Sequence, residues 1–247
     1  MRPPRPKLPL VSLPCAPSEL DARELEEMQR LMARHFHGVD RRAFEADLAA
    51  KDWVLRLFED NKLVGFSTLA VDAAVAVGDR GVNVIYSGDT IMEPQAWSSL
   101  ALPKSWIQLV ERITTSLPAL PCYWLLISSG FRTYRFLPVF WQEFWPRFDR
   151  PTPPEQQTLL ETLAERRFGT QFNPCKGVVQ LQHPHRLRSH LKRGADRRSE
   201  GDPHIAFFAQ SNPQWELGDE LVCLAELSRE NLTPAGKRIW TSPPHES

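Results

Sequence analysis

The sequence of 247 residues contains only four cysteines, and no two of them form a C-x-x-C pair. Zinc ribbons and thiol redox motifs need such pairs, so the sequence predicts neither kind of site. Cysteines that are this sparse and this far apart are typical of a reducing compartment. We therefore expect a cytoplasmic protein.

Net charge and long apolar runs are also missing. The 30 basic and 30 acidic residues leave a formal net charge of zero, which gives no overall attraction to nucleic acid or to an anionic membrane. No segment approaches the roughly 20 apolar residues of a membrane span, and the proline-broken start lacks the apolar core of a secretory signal. We expect no nucleic-acid partner and no membrane span.

Glycine is scarce, with 12 residues beside 22 prolines and 8 tryptophans, which favours rigid connections and large aromatic contacts. No G-x-S-x-G elbow occurs, so a Ser-His-Asp hydrolase is not indicated. The paired histidines, His35 with His37 and His183 with His185, lack the spacing of ligands on one helix face. The sequence predicts no metal site.

About two-fifths of the residues are hydrophobic, enough for the core of one large domain. Apolar periodicity and turn residues predict the elements of the first half. They are a strand in Leu8–Cys15, a helix from an N-cap at Ser18 to near Gly38, a short helix capped by Asp40, a hairpin of Trp53–Glu59 and Lys62–Val77 turning at Asp60-Asn61, a strand within Val82–Pro94, and a helix in Ala96–Leu117 that Pro103 kinks or shortens.

The second half begins with a buried strand and ends with a strand pair. The predicted elements are a strand in Tyr123–Ile127, an aromatic helix through Trp145, a helix from Glu155 to about Arg167, and strands in 177–182, 204–210 and 219–227. We therefore predict a single domain in residues 1–231 with an insertion at 149–203, and an irregular tail at 232–247. The insertion carries a basic loop with Arg186, Arg188, Lys192, Arg193, Arg197 and Arg198.

Two of the strands that should lie centrally end in small polar residues before a helix. The stretch VNVIYSGDTIMEP changes character at Ser87-Gly88-Asp89, and CYWLLISSG does so at Ser128-Ser129-Gly130. Strand-to-helix junctions of this kind are where open α/β sheets bind ligands. A bulge or a turn at a strand end is the alternative for the first stretch.

This order of elements over Leu8–Leu227, together with the hydrophobic-acidic-proline step Met92-Glu93-Pro94, resembles the GNAT acyltransferase superfamily. The resemblance implies a mixed α/β sheet of the GNAT-like acyl-CoA N-acyltransferase fold with an inserted helix. In that family the fourth and fifth strands part, and the thioester lies in the gap.

The implied function is acyl transfer from an acyl-CoA or acyl-carrier-protein thioester to the amine of a small molecule. Residues of both strand ends and of the following loop would hold the phosphopantetheine arm. By resemblance these are Tyr86, Ser87, Gly88, Thr90, Ser98, Ser99, Ser128, Ser129 and Gly130.

The sequence departs from the family after its fourth strand. The usual Q/R-x-x-G-x-G/A loop presents backbone N–H groups to a pyrophosphate, but Gln95–Leu100 contains no glycine. An acyl carrier protein is therefore an alternative donor, and the basic loop would be its docking site. The alternative function is a non-catalytic module that binds an acylated ligand or a partner protein. A cleft filled by Trp97 or Leu100 would favour that function.

Direct transfer to an amine needs a base for the amine proton and an acid for the leaving thiolate. Asp89 and Glu93 are the carboxylates nearest the predicted gap, and Tyr134 resembles the family position of an acidic tyrosine. Asp89 as a turn cap and Tyr134 as a core aromatic are the alternatives. The aromatic segment after Gly130 would pack in the core or line a pocket for a long acyl chain.

Overall fold

The computed structural model describes residues 10–97, 99–182, 184–188 and 201–240. The strands are β1 Val11–Cys15, β2 Phe36–His37, β3 Trp53–Glu59, β4 Lys62–Val77, β5 Arg80–Met92, β6 Cys122–Ser128, β7 Phe172–Asn173, β8 Val178–Gln180, β9 Arg186–Leu187 and β10 Asp219–Glu226. The helices are α1 Ala22–His35, α2 Arg41–Ala49, α3 Ala101–Ser116, α4 Phe131–Tyr134, α5 Phe136–Phe140, α6 Pro154–Phe168, α7 Pro203–Ser211 and α8 Pro234–Trp240.

Eight strands form one mixed sheet in the order β1-β3-β4-β5-β6-β10-β8-β7, and β2 pairs with β9 separately. Strands β5 and β6 run parallel, and the other pairs of described strands run antiparallel. These two are the strands to which the resemblance assigns the fourth and fifth positions. The predicted GNAT-like α/β fold is therefore confirmed.

Local signals explain the elements before β5. Asp60 and Asn61 both have positive φ, at 50° and 61°, as a two-residue hairpin turn requires, and both predicted strands of this hairpin have the observed bounds. Helix α1 begins after Asp21, whose side chain accepts from the backbone N–H of Glu24 at 2.7 Å. Ser18 is therefore not the N-cap, because it lies in a preceding 3₁₀ turn.

The two faces of the sheet are covered differently. On one face, α3 and the segment from α4 to Phe144 bury a large aromatic core. On the other face, α1 and α2 pack over the half of the sheet with β3 and β4, and α6 packs over β6 and β10. A groove therefore remains between α2 and α6, above β5.

The prediction of a strand in 204–210 is wrong, because these residues form α7. Asp202 accepts from the backbone N–H of His204 at 3.0 Å, and Pro203 occupies the first helical position. This Asp-Pro start is a helix signal that outweighs the β-propensity of the Ile-Ala-Phe-Phe run.

The aromatic segment after β6 is not one helix through Trp145, because α5 ends at Phe140. Beyond it the chain runs along β10, where the backbone groups of Trp145 and Leu224 exchange hydrogen bonds of 2.8 and 2.7 Å. The chain after Asn231 is not wholly irregular either, because it forms α8. Pairing with distant segments decides both outcomes, and a local pattern does not contain that information.

Proline 103 lies in the first turn of α3, which begins at Ala101. A missing N–H is tolerated there, so Pro103 shortens the predicted helix without kinking it. No helix in the described ranges is long and apolar enough to cross a membrane.

Candidate active site

Strands β5 and β6 part at their carboxyl ends, as predicted. Their parallel register runs from Asn83 opposite Cys122 to Ser87 opposite Leu126 and stops there. Strand β5 continues beside β4 as far as Met92, and β6 continues beside β10 as far as Ser128. From Gly88 onward, this edge of β5 therefore has no strand partner among the described residues.

A β-bulge lies at the point of separation. Ser67 pairs with Thr90 but Leu69 pairs with Ser87, so β5 has one extra residue within Gly88-Asp89. A Cβ atom on Gly88 would lie 2.7 Å from Cε of Lys51 and 2.8 Å from Oγ1 of Thr68. A larger residue at this bulge would therefore have to displace the side chains of Lys51 and Thr68.

Two cavities adjoin the bulge. The larger one, here called the acidic cavity, has a volume of about 670 Å³ and lies in the groove between α2 and α6. Its wall includes four carboxylates, from Asp47, Asp72, Asp89 and Glu220. The smaller one, the aromatic cleft, has a volume of about 250 Å³ and lies between the start of α3 and α4.

The two cavities share part of their walls. Both cavities are lined by side chains from three places, namely β2, the end of β5 and the start of α4. These residues, here called the junction, are Phe36, Thr90, Ile91, Ser129 and Thr133. A molecule in one space can therefore approach a molecule in the other through the gap between β5 and β6.

Two of the four carboxylates have cationic partners. The ammonium of Lys51 lies 2.5 Å from Oδ1 of Asp47, and the guanidinium of Arg167 lies 3.2 Å from Oδ2 of Asp72. Asp89 and Glu220 form no ion pair with any described residue. Unpaired carboxylates beside open space can receive a cationic ligand.

Burial shifts the titration of both unpaired carboxyl groups. It raises the pKa of Asp89 to about 7, with a further rise from Asp47 and an opposing effect of Lys51. It raises the pKa of Glu220 to about 8, and the charge of Asp89 contributes to that rise. Near neutral pH these groups can therefore both hold and release a proton.

Glutamate 220 was not predicted as a site residue. It lies at the start of β10, next to Leu221, which pairs with Ser128 at the end of β6. This long-range pairing places it in the acidic cavity. In the sequence, Glu220 is distinguished only as one of two acidic residues that begin the predicted strand 219–227.

Glu93 and Tyr134 lie outside the walls of both cavities. Glu93 accepts hydrogen bonds from Arg34 at 2.8 Å. The hydroxyl of Tyr134 donates to the backbone carbonyl of Pro146 at 3.0 Å, and its fully buried ring packs against Phe208. The structure thus brings neither residue to Asp89, and their catalytic roles stay predictions.

The residues predicted to hold the donor divide between the two cavities. Tyr86 and Gly88 line the acidic cavity, Ser99 and Gly130 line the aromatic cleft, and Thr90 and Ser129 line both. Two others have local partners: Ser87 Oγ accepts from the indole N–H of Trp124 at 2.6 Å, and Ser128 Oγ donates to the carbonyl of Gly130 at 2.9 Å. Ser98 lies outside the described residues, as do His183, Lys192, Arg193, Arg197 and Arg198.

The start of α3 presents few N–H groups to an anion. Ser99 Oγ accepts from the N–H of Ala101 at 3.1 Å, and Pro103 has no N–H. The indole of Trp97 donates to the carbonyl of Met92 at 2.6 Å and forms a wall of the aromatic cleft without filling it. Leu100 is 67% exposed and lines neither cavity.

Two cationic side chains adjoin the aromatic cleft. The guanidinium of Arg132 lies 3.8 Å from the ring centre of Trp97. Arg135 lies 3.2 Å from the carboxylate of Asp202. Both line the cleft, and arginine is well suited to a phosphate. Among the described residues no cluster of histidine, cysteine and acidic side chains could hold a metal ion.

The chain matches no family model and no curated protein. Among solved structures it is similar to an acyl-CoA N-acyltransferase from Pseudomonas aeruginosa, with 17% identity over 47% of this chain and 79% of that one and a TM-score of 0.36. It is also similar to ElaA from Escherichia coli, with 14% identity, 59% and 94% coverage and a TM-score of 0.37. A third similar structure is Arabidopsis thaliana NAA60 with a bisubstrate analogue, with 16% identity, 57% and 87% coverage and a TM-score of 0.39.

Proposed function

We propose that this chain, a divergent protein of GNAT fold, transfers an acyl group from a thioester to the amine of a small molecule. The observation that carries the proposal is the junction, where two cavities of different character meet at the parting of β5 and β6. A two-substrate transfer needs such a place, because both reacting atoms must approach each other within one site.

The aromatic cleft is the proposed site of the donor. Its volume of about 250 Å³ suits a slender pantetheine arm, and the unpaired edge of β5 beyond Ser87 offers backbone hydrogen-bonding groups to the amides of that arm. Arg132 and Arg135 are placed to meet its phosphate. The thioester would then reach the junction near Thr90 and Thr133.

The acidic cavity is the proposed site of the acceptor. Ionised Asp89 would attract an ammonium group, and a carboxylate with a pKa of about 7 can take its proton at neutral pH. The free amine nitrogen then attacks the thioester carbon. A C–N bond forms, the C–S bond breaks, and the second proton of the nitrogen passes to the leaving thiolate.

The donor is coenzyme A or the phosphopantetheine of an acyl carrier protein. Coenzyme A brings a diphosphate, for which the start of α3 offers few N–H groups because Ser99 caps it and Pro103 interrupts it. A carrier protein brings a single phosphodiester. Comparing kcat/KM for acetyl-CoA and acetyl-phosphopantetheine tests whether the remainder of coenzyme A contributes to binding.

The proposed activity is tested by incubating the purified chain with acetyl-CoA and a panel of primary amines while measuring thiol release. We expect amine-dependent release by the wild type and a loss of at least about 100-fold in Asp89→Asn, as for removal of a general base. Asp79→Asn is the matched control, because Asp79 is exposed in the turn between β4 and β5. Equal rates in wild type and Asp89→Asn would contradict the assignment of Asp89.

A non-catalytic module that binds an acylated ligand is the second candidate. It is favoured by the positions of Glu93 and Tyr134, neither of which lines a cavity. Thermal stabilisation by acyl thioesters without any thiol release, across the whole amine panel, would support this function over catalysis.

A further inference from the structure

A third, much smaller space opens from the junction. It lies between β5, β6 and α3 and is here called the tryptophan pit, because Trp106 and Trp124 form its walls. Thr90 and Thr133 line this pit as well as the acidic cavity and the aromatic cleft. The pit therefore begins where the proposed reaction places the thioester carbonyl.

The pit is almost filled. Its volume of about 10 Å³ accommodates roughly one water molecule. Trp106 and Trp124 are both 3% exposed, and their ring centres are 4.3 Å apart. Trp141 packs behind them, with ring centres 4.8 Å from Trp124 and 5.9 Å from Trp106, so neither ring has empty space to move into.

Hydrogen bonding holds one of these rings in place. The indole N–H of Trp124 donates to Ser87 Oγ at 2.6 Å, and Ser87 belongs to the last residue pair that joins β5 to β6. Rotating Trp124 away would break this bond and leave a buried donor without a partner. Trp106 has no such anchor in the pit and comes from α3, so a smaller side chain there would open the pit without breaking the sheet.

An acyl chain has few directions in which to extend from the junction. The pantetheine arm occupies the aromatic cleft, and the acceptor occupies the acidic cavity, whose walls carry four carboxylates beside apolar side chains. The third space that meets Thr90 and Thr133 is the pit, whose walls are largely apolar. A chain longer than two or three carbons would collide with Trp106 and Trp124.

We propose that Trp106 limits the length of the transferred acyl group, so that the donor carries a short acyl chain. This inference rests on the proposed function and names its donor more closely. Under this proposal the aromatic core beside the junction excludes a long acyl chain and does not bind one, because its rings fill the space that such a chain would need.

The test measures dissociation constants of S-ethyl and S-octyl phosphopantetheine, unreactive thioethers that share the arm of coenzyme A and of carrier proteins. We expect the wild type to bind the S-ethyl compound more tightly. In Trp106→Leu the ratio should move toward the S-octyl compound by at least about tenfold, since each methylene that becomes buried strengthens binding about fourfold.

Trp240→Leu is the matched control, because Trp240 lies at the end of α8 and lines none of the three spaces. Wild-type binding of the S-octyl compound as tight as that of the S-ethyl compound would overturn the inference alone. Binding of neither compound would overturn the proposed function together with it. If Trp106→Leu does not fold, the wild-type ratio and the milder Trp106→Phe variant decide.

Discussion

Lys51 and Asp47 form an ion pair of 2.5 Å beneath the β5 bulge, with the lysine side chain 1% exposed and the aspartate side chain 52% exposed. The ammonium also donates to the backbone carbonyl of Asp47 at 3.1 Å. A buried cation thus lies close to Asp89, whose pKa it lowers against the effects of burial and of Asp47.

Replacing this cation should change the pH dependence of the proposed reaction. In Lys51→Met the pKa of Asp89 loses the lowering effect, so the rising limb of kcat/KM should move to higher pH. The measurement is a pH profile of thiol release, with the exposed Lys62→Met as control. An unchanged profile would show that Lys51 acts only on packing.

Gly88→Ala should destabilise the fold and disturb the same lysine. The added methyl group would lie 2.7 Å from Lys51 Cε and 2.8 Å from Thr68 Oγ1, closer than van der Waals contact. We expect a loss of about 1 to 3 kcal/mol in the free energy of unfolding, as for other overpacked sites.

Urea denaturation measures this loss, with Gly130→Ala as the comparison. An added Cβ at Gly130 meets no atom within 4 Å, so that variant should keep its stability. Similar losses in both variants would contradict the role of close approach at Gly88.

Stability should fall as the pH rises through the range in which Asp89 and Glu220 ionise. Their pKa values of about 7 and about 8 in the folded chain exceed the ordinary values of 3.8 and 4.5. A carboxyl group with a raised pKa favours the folded state while it is protonated. Its contribution is therefore complete below pH about 4 and is lost as the pH rises through about 7 to 8.

Between pH about 4 and about 8 we expect a decrease of several kcal/mol in the free energy of unfolding, since each pKa unit corresponds to about 1.4 kcal/mol. Glu220→Gln should show a smaller decrease, because glutamine does not ionise. Urea denaturation at several pH values checks this, with Glu230→Gln as an exposed control. A slope in Glu220→Gln equal to that of the wild type would refute the explanation.

Features set by neighbouring residues could be predicted from the sequence. The hairpin bounds follow from Asp60-Asn61, and the start of α2 follows from Asp40, whose side chain accepts from Ala43 at 2.8 Å. In both cases the deciding residues lie within a few positions of the element. The parting of β5 and β6 was implied by the resemblance and not by a local pattern.

Features set by distant pairing could not be predicted. Glu220 reaches the acidic cavity only because β10 lies beside β6, and the hydroxyl of Tyr134 is engaged by Pro146, which follows the turn of the chain toward β10. The strand-like composition of 204–210 misled because Asp202 and Pro203 start a helix there. Tertiary contacts decided the positions of Glu220 and Tyr134, whereas the start of α7 has a local signal in Asp202 and Pro203.

The acidic cavity and the aromatic cleft have different walls apart from the junction. Under the proposed function, each substrate then has its own entrance, and the spent thiol can leave without passing the acylated product. No covalent acyl-enzyme stage is required by such a layout. Initial-rate plots against both substrates should therefore give intersecting lines, the kinetic pattern of a ternary complex.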